Sequence, residues 1–233
     1  MQESAISLAA RLIAQGDPDL YEIIVLSLRV SLSSVSLSLI FGLTLGAALA
    51  TGHFRGRLLL NIIINALMSM PPVVVGLLAY LALSRSGPMG WLGLLYTPTA
   101  MIIAQTFLIT PLIAALSRQV IEDLYNEYRE QFLSLRLTQS QRVKTLLWDA
   151  RYSLSTVALA GLGRALSEVG AVIIVGGNIE HLTRVMTTAI ALETSKGDLA
   201  LALALGIILL TLALLINVLL ASLSISARRQ AYA

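Results

Sequence analysis

"VALAGLGRALSEVGAVIIV", residues 157–175, sets an arginine and a glutamate inside one of the most apolar stretches of the chain. Whether this stretch is the buried helix of a soluble protein or the crossing of a bilayer decides the fold. Composition settles the solvent. Only 12% of the 233 residues are charged, 57% are hydrophobic, and the mean hydropathy is +0.83. A soluble domain carries about 25% charged residues, so lipid is the expected surrounding. Residues 157–175 then belong to a membrane helix holding two charges and three glycines.

Working outward, five segments are long and apolar enough to cross a hydrocarbon core of about 30 Å, which takes about 20 residues. They are 23–50, 58–84, 98–120, 152–175 and 199–223, giving an all-α polytopic membrane protein read as one transmembrane domain over 1–233. Ten basic residues lie on one side: Arg55, Arg57, Arg118, Arg129, Arg136, Arg142, Lys144, Arg151, Arg228 and Arg229. Four lie on the other: Arg11, Arg85, Arg184 and Lys196. Basic loops stay in the cytoplasm, so the C-terminus and residues 121–151 are expected inside and the N-terminus outside. Residues 1–22 hold Glu3, Asp17, Asp19 and Glu22 against Arg11 alone, and no signal peptide is expected. Within them Ile6, Ala9, Leu12 and Ile13 recur at helical spacing, which fits an outer amphipathic helix on the membrane surface.

The first span carries Ser34, Ser38, Gly42, Gly46 and Ala50 at intervals of four, a ridge of small side chains that lets another helix approach closely. The second contains "MPPVVVGLLAYL", residues 70–81. Pro71 and Pro72 lack backbone N–H groups, and Pro72 drives Pro71 out of helical geometry. The helix should break there and loosen again at Gly76. A broken helix at membrane depth survives only against protein or a water-filled cavity, which makes this span a candidate for a transport path or gate. Pro111 suggests a kink in the third span.

Residues 118–151 hold eleven of the chain's twenty-nine charged residues. Ile121, Leu124, Tyr128, Phe132 and Leu135 follow an i, i+3/i+4 rhythm, and Thr138 with Gln141 has the spacing of a capping box. A helix–turn–helix is expected with its turn near Arg136–Leu137 and with Val143, Leu146 and Leu147 on the apolar face of the second helix. Its position suits docking of a soluble partner. The chain has no G-x-x-x-x-G-K-[ST] run, so it is not expected to be an enzyme or to bind nucleotide. It has no cysteine, and its two histidines, His53 and His181, are remote from each other and read as solvated, so no metal site is expected.

These blocks resemble the permease subunits of ABC importers of the molybdate, sulfate and tungstate group. "MPPVVVGLL" is similar to that group's Pro-Pro-Val-Val-x-Gly segment. "EYREQFLSLRLTQSQRVKTLLWDAR", residues 127–151, stands where those permeases carry the cytoplasmic EAA loop. Glu130 matches that motif's glutamate, whereas Gln131 and Phe132 replace two alanines, Arg136 replaces a glycine and Asp149 lies near the closing proline. A left-handed turn at Arg136 costs about 1 kcal/mol more than at glycine. "GRALSEVGAVIIVGGNIEHLTRVMTTAIALETSKGD", residues 163–198, is similar to the tungstate-type permeases in particular.

The resemblance implies a type I importer fold in the cell (inner) membrane. Its expected partners are a second copy of the chain, two cytoplasmic ATPase subunits that use the ATP, an extracytoplasmic oxyanion-binding protein and the lipid bilayer, but no nucleic acid. The cargo is expected to be tungstate, with molybdate or sulfate as the alternative. The coupling residues would be Glu130, Leu135, Arg136, Leu137, Thr138 and Gln141. Pro71, Pro72, Gly76, Arg164, Glu168 and Gly170 would form the path or gate. Asn178, Thr183, Arg184, Thr187 and Thr188 form a polar outer cluster, able to meet the binding protein or the anion or simply to make a hydrated loop. Arg164 and Glu168, four apart, can share a helix face and pair; two roles stay open, an ion pair that fixes packing or a positive lining of the path. An ATP-independent transporter would show internal repeats or coupling carboxylates in several spans, and neither is seen.

Overall fold

The computed structural model describes residues 5–15, 17–52 and 54–231. His53 and Glu3 lie outside the described residues, as do the side chains of Arg228 and Arg229. Among the described residues the regular elements are helical: α1 (Ala5–Gln15), α2 (Pro18–Thr51), α3 (Arg57–Met68), α4 (Pro72–Leu83), α5 (Pro98–Ser134), α6 (Gln139–Asp149), α7 (Arg151–Leu166), α8 (Gly170–Gly176), α9 (Met186–Lys196) and α10 (Leu199–Ala231). By length and apolarity α2, α5 and α10 can each cross a membrane alone. The pairs α3–α4 and α7–α8 qualify only as broken spans, which brings the total to the expected five.

Three boundaries differ from expectation. Helix α2 begins at Pro18 rather than near 23, because Asp17 caps it: its Oδ1 accepts the N–H groups of Asp19 at 2.9 Å and Leu20 at 3.3 Å, and proline suits the first helical position. Helix α5 does not stop at 120 but runs through the loop's first helix to Ser134. Pro111 lies inside α5 without ending it. The fourth span is not one helix; it stops at Leu166 and resumes at Gly170 after a bend of 57°. The second span breaks where the sequence says it should. Pro71 is extended (φ −60°, ψ 130°) and Pro72 starts α4, where a missing N–H leaves no bond unmade.

The chain's contacts fall into two compact units. The first comprises residues 1–34, 71–105 and 163–216. Its core joins Val30, Leu83, Ala100, Met101, Ala104, Ala171, Val172, Val175 and Val185. Gly76 and Gly170 bring α4 against α8: a Cβ on Gly76 would lie 2.8 Å from Ala171 Cα, and one on Gly170 2.9 Å from Val73 Cγ2. The loop after Leu83 is pinned to this pair by the Tyr96 N–H, which donates to Val175 O at 2.9 Å.

The second unit comprises residues 35–70, 106–162 and 217–233. Here the small residues of α2 admit α5. Ser38 Oγ donates to Thr106 O at 3.2 Å and Ser117 Oγ to Gly42 O at 3.4 Å, while a Cβ on Gly46 would strike Ser117 Oγ. The ridge is spent on packing within the chain. Lower down, Ala47 and Ala50 of α2 join Ile121, Tyr125 and Phe132 of α5 and Leu146 of α6 in one cluster, with Leu124, Tyr128, Leu137, Val143 and Leu147 against it. Arg57 ties the α2–α3 corner: Nε donates to Leu49 O at 2.7 Å, and Nη2 meets Glu122 Oε1 at 2.6 Å. The other oxygen of Glu122 accepts from Arg118 Nη1 at 2.5 Å, so one carboxylate serves two guanidinium groups.

Candidate functional site

The two charges of the opening stretch end up apart. Arg164 sits in the last turn of α7, and Glu168 falls in the break between α7 and α8. The spacing of four holds only on an unbroken helix. The break therefore removes the shared face on which they could have paired, and no ion pair joins them among the described residues. Each charge meets a helix end instead. Glu168 is 4% exposed, and its Oε1 accepts the Ala171 N–H at 3.1 Å in the first turn of α8. A carboxylate is favoured at a helix N-terminus and a cation at a C-terminus, by about 0.3–1 kcal/mol each. The broken span thus supplies two partial charges that an unbroken one could not. Helix α8 ends at Gly176, with Gly177 in the left-handed region at φ 73°.

Around Glu168 lies a narrow polar cavity of the first unit, lined by Ser27, Ser31, Gln105 and Thr187 among others. Buried polar groups need partners, and these have them. Gln105 Nε2 donates to Ala165 O at 3.1 Å, satisfying a carbonyl near the end of α7, and its Oε1 accepts from Ser34 Oγ at 2.9 Å. Thr187 Oγ1 donates to Glu168 O at 2.8 Å, and Ser27 Oγ accepts the Met186 N–H at 2.8 Å. Gln105 and Ser27 were not among the residues singled out from sequence. A lone glutamine or serine in an apolar run carries no partner signal, since its partners lie 60 and 159 residues away.

The outer cluster is largely a fastening. Thr183 is fully buried; its hydroxyl donates to Gly176 O at 2.6 Å and accepts the Ile179 N–H at 2.9 Å. Thr188 Oγ1 bonds Asn178 Oδ1 at 2.8 Å, and Asn178 Nδ2 donates to Thr188 O at 3.3 Å. Arg184 differs: Nη1 holds Glu180 at 3.0 Å, but its buried Nε has no partner among the described residues. His181 is exposed, as expected, and pairs with Glu22 at 2.8 Å. That hydrogen bond, and after it the charge of Glu22, raises the His181 pKa above its ordinary 6.5.

At the other site, the turn expected near Arg136–Leu137 is present, with Arg136 in the left-handed region at φ 49°. Thr138 and Gln141 form the capping box of α6, Gln141 Oε1 accepting the Thr138 N–H at 2.9 Å. Gln139 Nε2 donates to Thr51 Oγ1 at 2.7 Å and ties α6 to the end of α2. Glu130 is exposed, and Leu137 packs on the cluster beneath. Leu135, placed on the apolar face by its spacing, is 68% exposed instead, because it lies one residue past the end of α5. Leu133 near the end of α5 and Trp148 near the end of α6 are also exposed, by 59% and 68%.

Known proteins are similar to this chain in sequence over most of its length. The chain is 39% identical over 215 residues to the tungstate uptake system permease protein TupB of Peptoclostridium acidaminophilum, covering 92% of this chain and 94% of that one. It is 40% identical to a probable anion ABC transporter permease protein of Haloferax volcanii, with 86% and 88% covered. A sulfate transport system permease protein CysW of Synechocystis is more distant, at 31% with 71% and 63% covered. Residues 39–229, which include both broken spans and the α5–α6 turn, match the family described as "binding-protein-dependent transport system inner membrane component". The chain belongs to that family of integral membrane permeases.

Proposed function

We propose that this chain is the permease subunit of an ATP-driven tungstate importer. The observation that carries the reading is the similarity, 39% and 36% identity, to two tungstate uptake permeases, above the 31% to a sulfate permease. Two copies of the chain, each a single permease domain, enclose the path. A separate pair of ATPase subunits binds and hydrolyses ATP, and an outer binding protein delivers the anion. The basic bias of residues 51–57, 121–151 and the C-terminus puts those segments in the cytoplasm and the N-terminus outside.

The α5–α6 turn carries Glu130, Leu135, Arg136, Leu137, Thr138 and Gln141 and takes the ATPase; the exposed Leu133, Leu135 and Trp148 suit a groove on a soluble partner. Pro71, Pro72 and Gly76 on one broken span, and Arg164, Glu168 and Gly170 on the other, form the gate. Arg184 meets the incoming anion or its binding protein as the cation of the outer cluster.

The test is tungsten accumulation by cells lacking this chain and by cells given it back, with excess molybdate or sulfate as competitors. Restored uptake that the competitors leave intact is expected. Uptake abolished by a competitor moves the cargo to that anion, and no uptake of any oxyanion refutes the reading.

A further inference from the structure

Glu168 is left with half of its carboxylate unmet. Its Oε1 takes the Ala171 N–H, but its second oxygen makes no hydrogen bond among the described residues. No cationic side chain pairs with it among them either. The residue is nonetheless buried. An unpaired buried charge is among the costliest groups a fold can hold, and within a membrane span an ionisable group marks a site with a partner.

The cavity beside Glu168 shows what that partner is. It measures about 10 Å³, the room of about one water. Its hydroxyl walls present acceptors. Ser27 spends its hydrogen on Ile23 O at 2.6 Å, and Thr187 spends its own on Glu168 O at 2.8 Å. Each can then turn only a lone pair to the cavity. Ser31 lies four residues after Ser27, on the same face of α2. It is buried too, and its hydroxyl makes no hydrogen bond among the described residues. Gln105 is engaged with Ala165 O and the Ser34 hydroxyl. All of these residues belong to the first compact unit. An anion would meet a carboxylate here, and a neutral water would leave the charge uncompensated.

We propose that this cavity is a sodium site, with Glu168 Oε2, Ser31 Oγ, Ser27 Oγ and Thr187 Oγ1 as its oxygen ligands. Hard cations take oxygen ligands of this kind. One carboxylate among neutral hydroxyls balances a single positive charge, and room for one water suits sodium over the larger potassium. The bound ion ties α2, the α7–α8 break and the start of α9 at one point. It is a ligand of the folded chain that the permease reading neither supplies nor requires.

The purified full-length chain is unfolded with urea in detergent at fixed ionic strength, with sodium chloride replacing choline chloride stepwise. A ligand held only by the folded state multiplies the folded-to-unfolded ratio by one plus its concentration over its dissociation constant. Above that constant the ratio should therefore rise about tenfold for each tenfold in sodium, and potassium should do less. Glu168→Gln keeps the acceptor for the Ala171 N–H but not the charge, and should flatten the response. Ser31→Ala removes a hydroxyl with no other partner and should raise the sodium required by at least about tenfold. If Glu168→Gln does not fold, Ser31→Ala decides alone. A wild-type stability indifferent to sodium overturns the proposal, as does a sodium response that the variants leave unchanged. Stability that follows pH and ignores sodium gives the carboxylate to a proton and overturns it as well.

Discussion

Replacing Gly76 by alanine tests the close packing of α4 on α8. The added Cβ would stand 2.8 Å from Ala171 Cα and 3.2 Å from its carbonyl oxygen, both backbone atoms. Carbon atoms settle at about 3.5–4.0 Å, so the helices must part by about 0.7–1.2 Å. Such overpacking costs about 1–3 kcal/mol, offset by up to about 1 kcal/mol from replacing a helical glycine.

The control is Gly206→Ala in α10, where the new Cβ meets nothing within 4 Å. It should gain the helix term without the clash. The two variants should therefore differ by about 1–3 kcal/mol, roughly 5- to 140-fold in the folded-to-unfolded ratio. Denaturant titration of both in the same detergent measures it, with oxyanion uptake by the same variants in vesicles alongside. Equal stability of the two would refute the close-approach argument. Lost stability with unchanged uptake would detach the α4–α8 contact from transport.

Glu122→Gln should cost about 1–3 kcal/mol, since it leaves Arg57 and Arg118 without their shared carboxylate; denaturant titration against wild type reads it, and a neutral result refutes the bridging role. Arg136→Gly relieves a left-handed arginine and should stabilise the α5–α6 turn by about 0.5–1 kcal/mol, seen as slower hydrogen exchange around Thr138. Glu168→Gln keeps an acceptor for the Ala171 N–H but removes charge from the start of α8, for a loss of about 0.3–1 kcal/mol. Glu168→Ala, which removes the acceptor as well, should lose more in the same titration. The His181–Glu22 pair has its own pH signature. The His181 pKa is raised on folding, so its contribution is complete below the ordinary 6.5 and fades as pH climbs through the raised value. The protection of residues 177–184 relative to intrinsic exchange should fall across that window, and Glu22→Gln should abolish the fall.

How much of this was legible follows from how far apart the partners lie. Local rules read correctly whatever depends on a few neighbouring residues. Pro71 and Pro72 fixed the break of the second span, and Thr138 and Gln141 the start of α6. The five spans and the lipid surrounding follow from apolar runs alone, because a bilayer rewards any segment that hides its backbone and exposes apolar side chains. The same locality explains the misses. Spacing of four allowed an Arg164–Glu168 pair, but that geometry needs a helix through Ser167, and the chain instead breaks there and gives each charge a helix end. Leu135 kept the rhythm of α5 and lost its burial by one residue, since periodicity cannot say where a helix stops.

The sequence by itself determined the solvent, the number of crossings, the break of the second span and the family, all of them properties of short runs read in order. Only the tertiary structure decided what the polar residues do. Ser27 meets Met186 across 159 residues, Arg57 meets Glu122 across 65, and the small residues of α2 turn out to admit α5. The physical reason is that an unpaired polar group is too costly to leave buried, so it takes whichever partner the packed helices bring. No spacing along the chain encodes which one arrives.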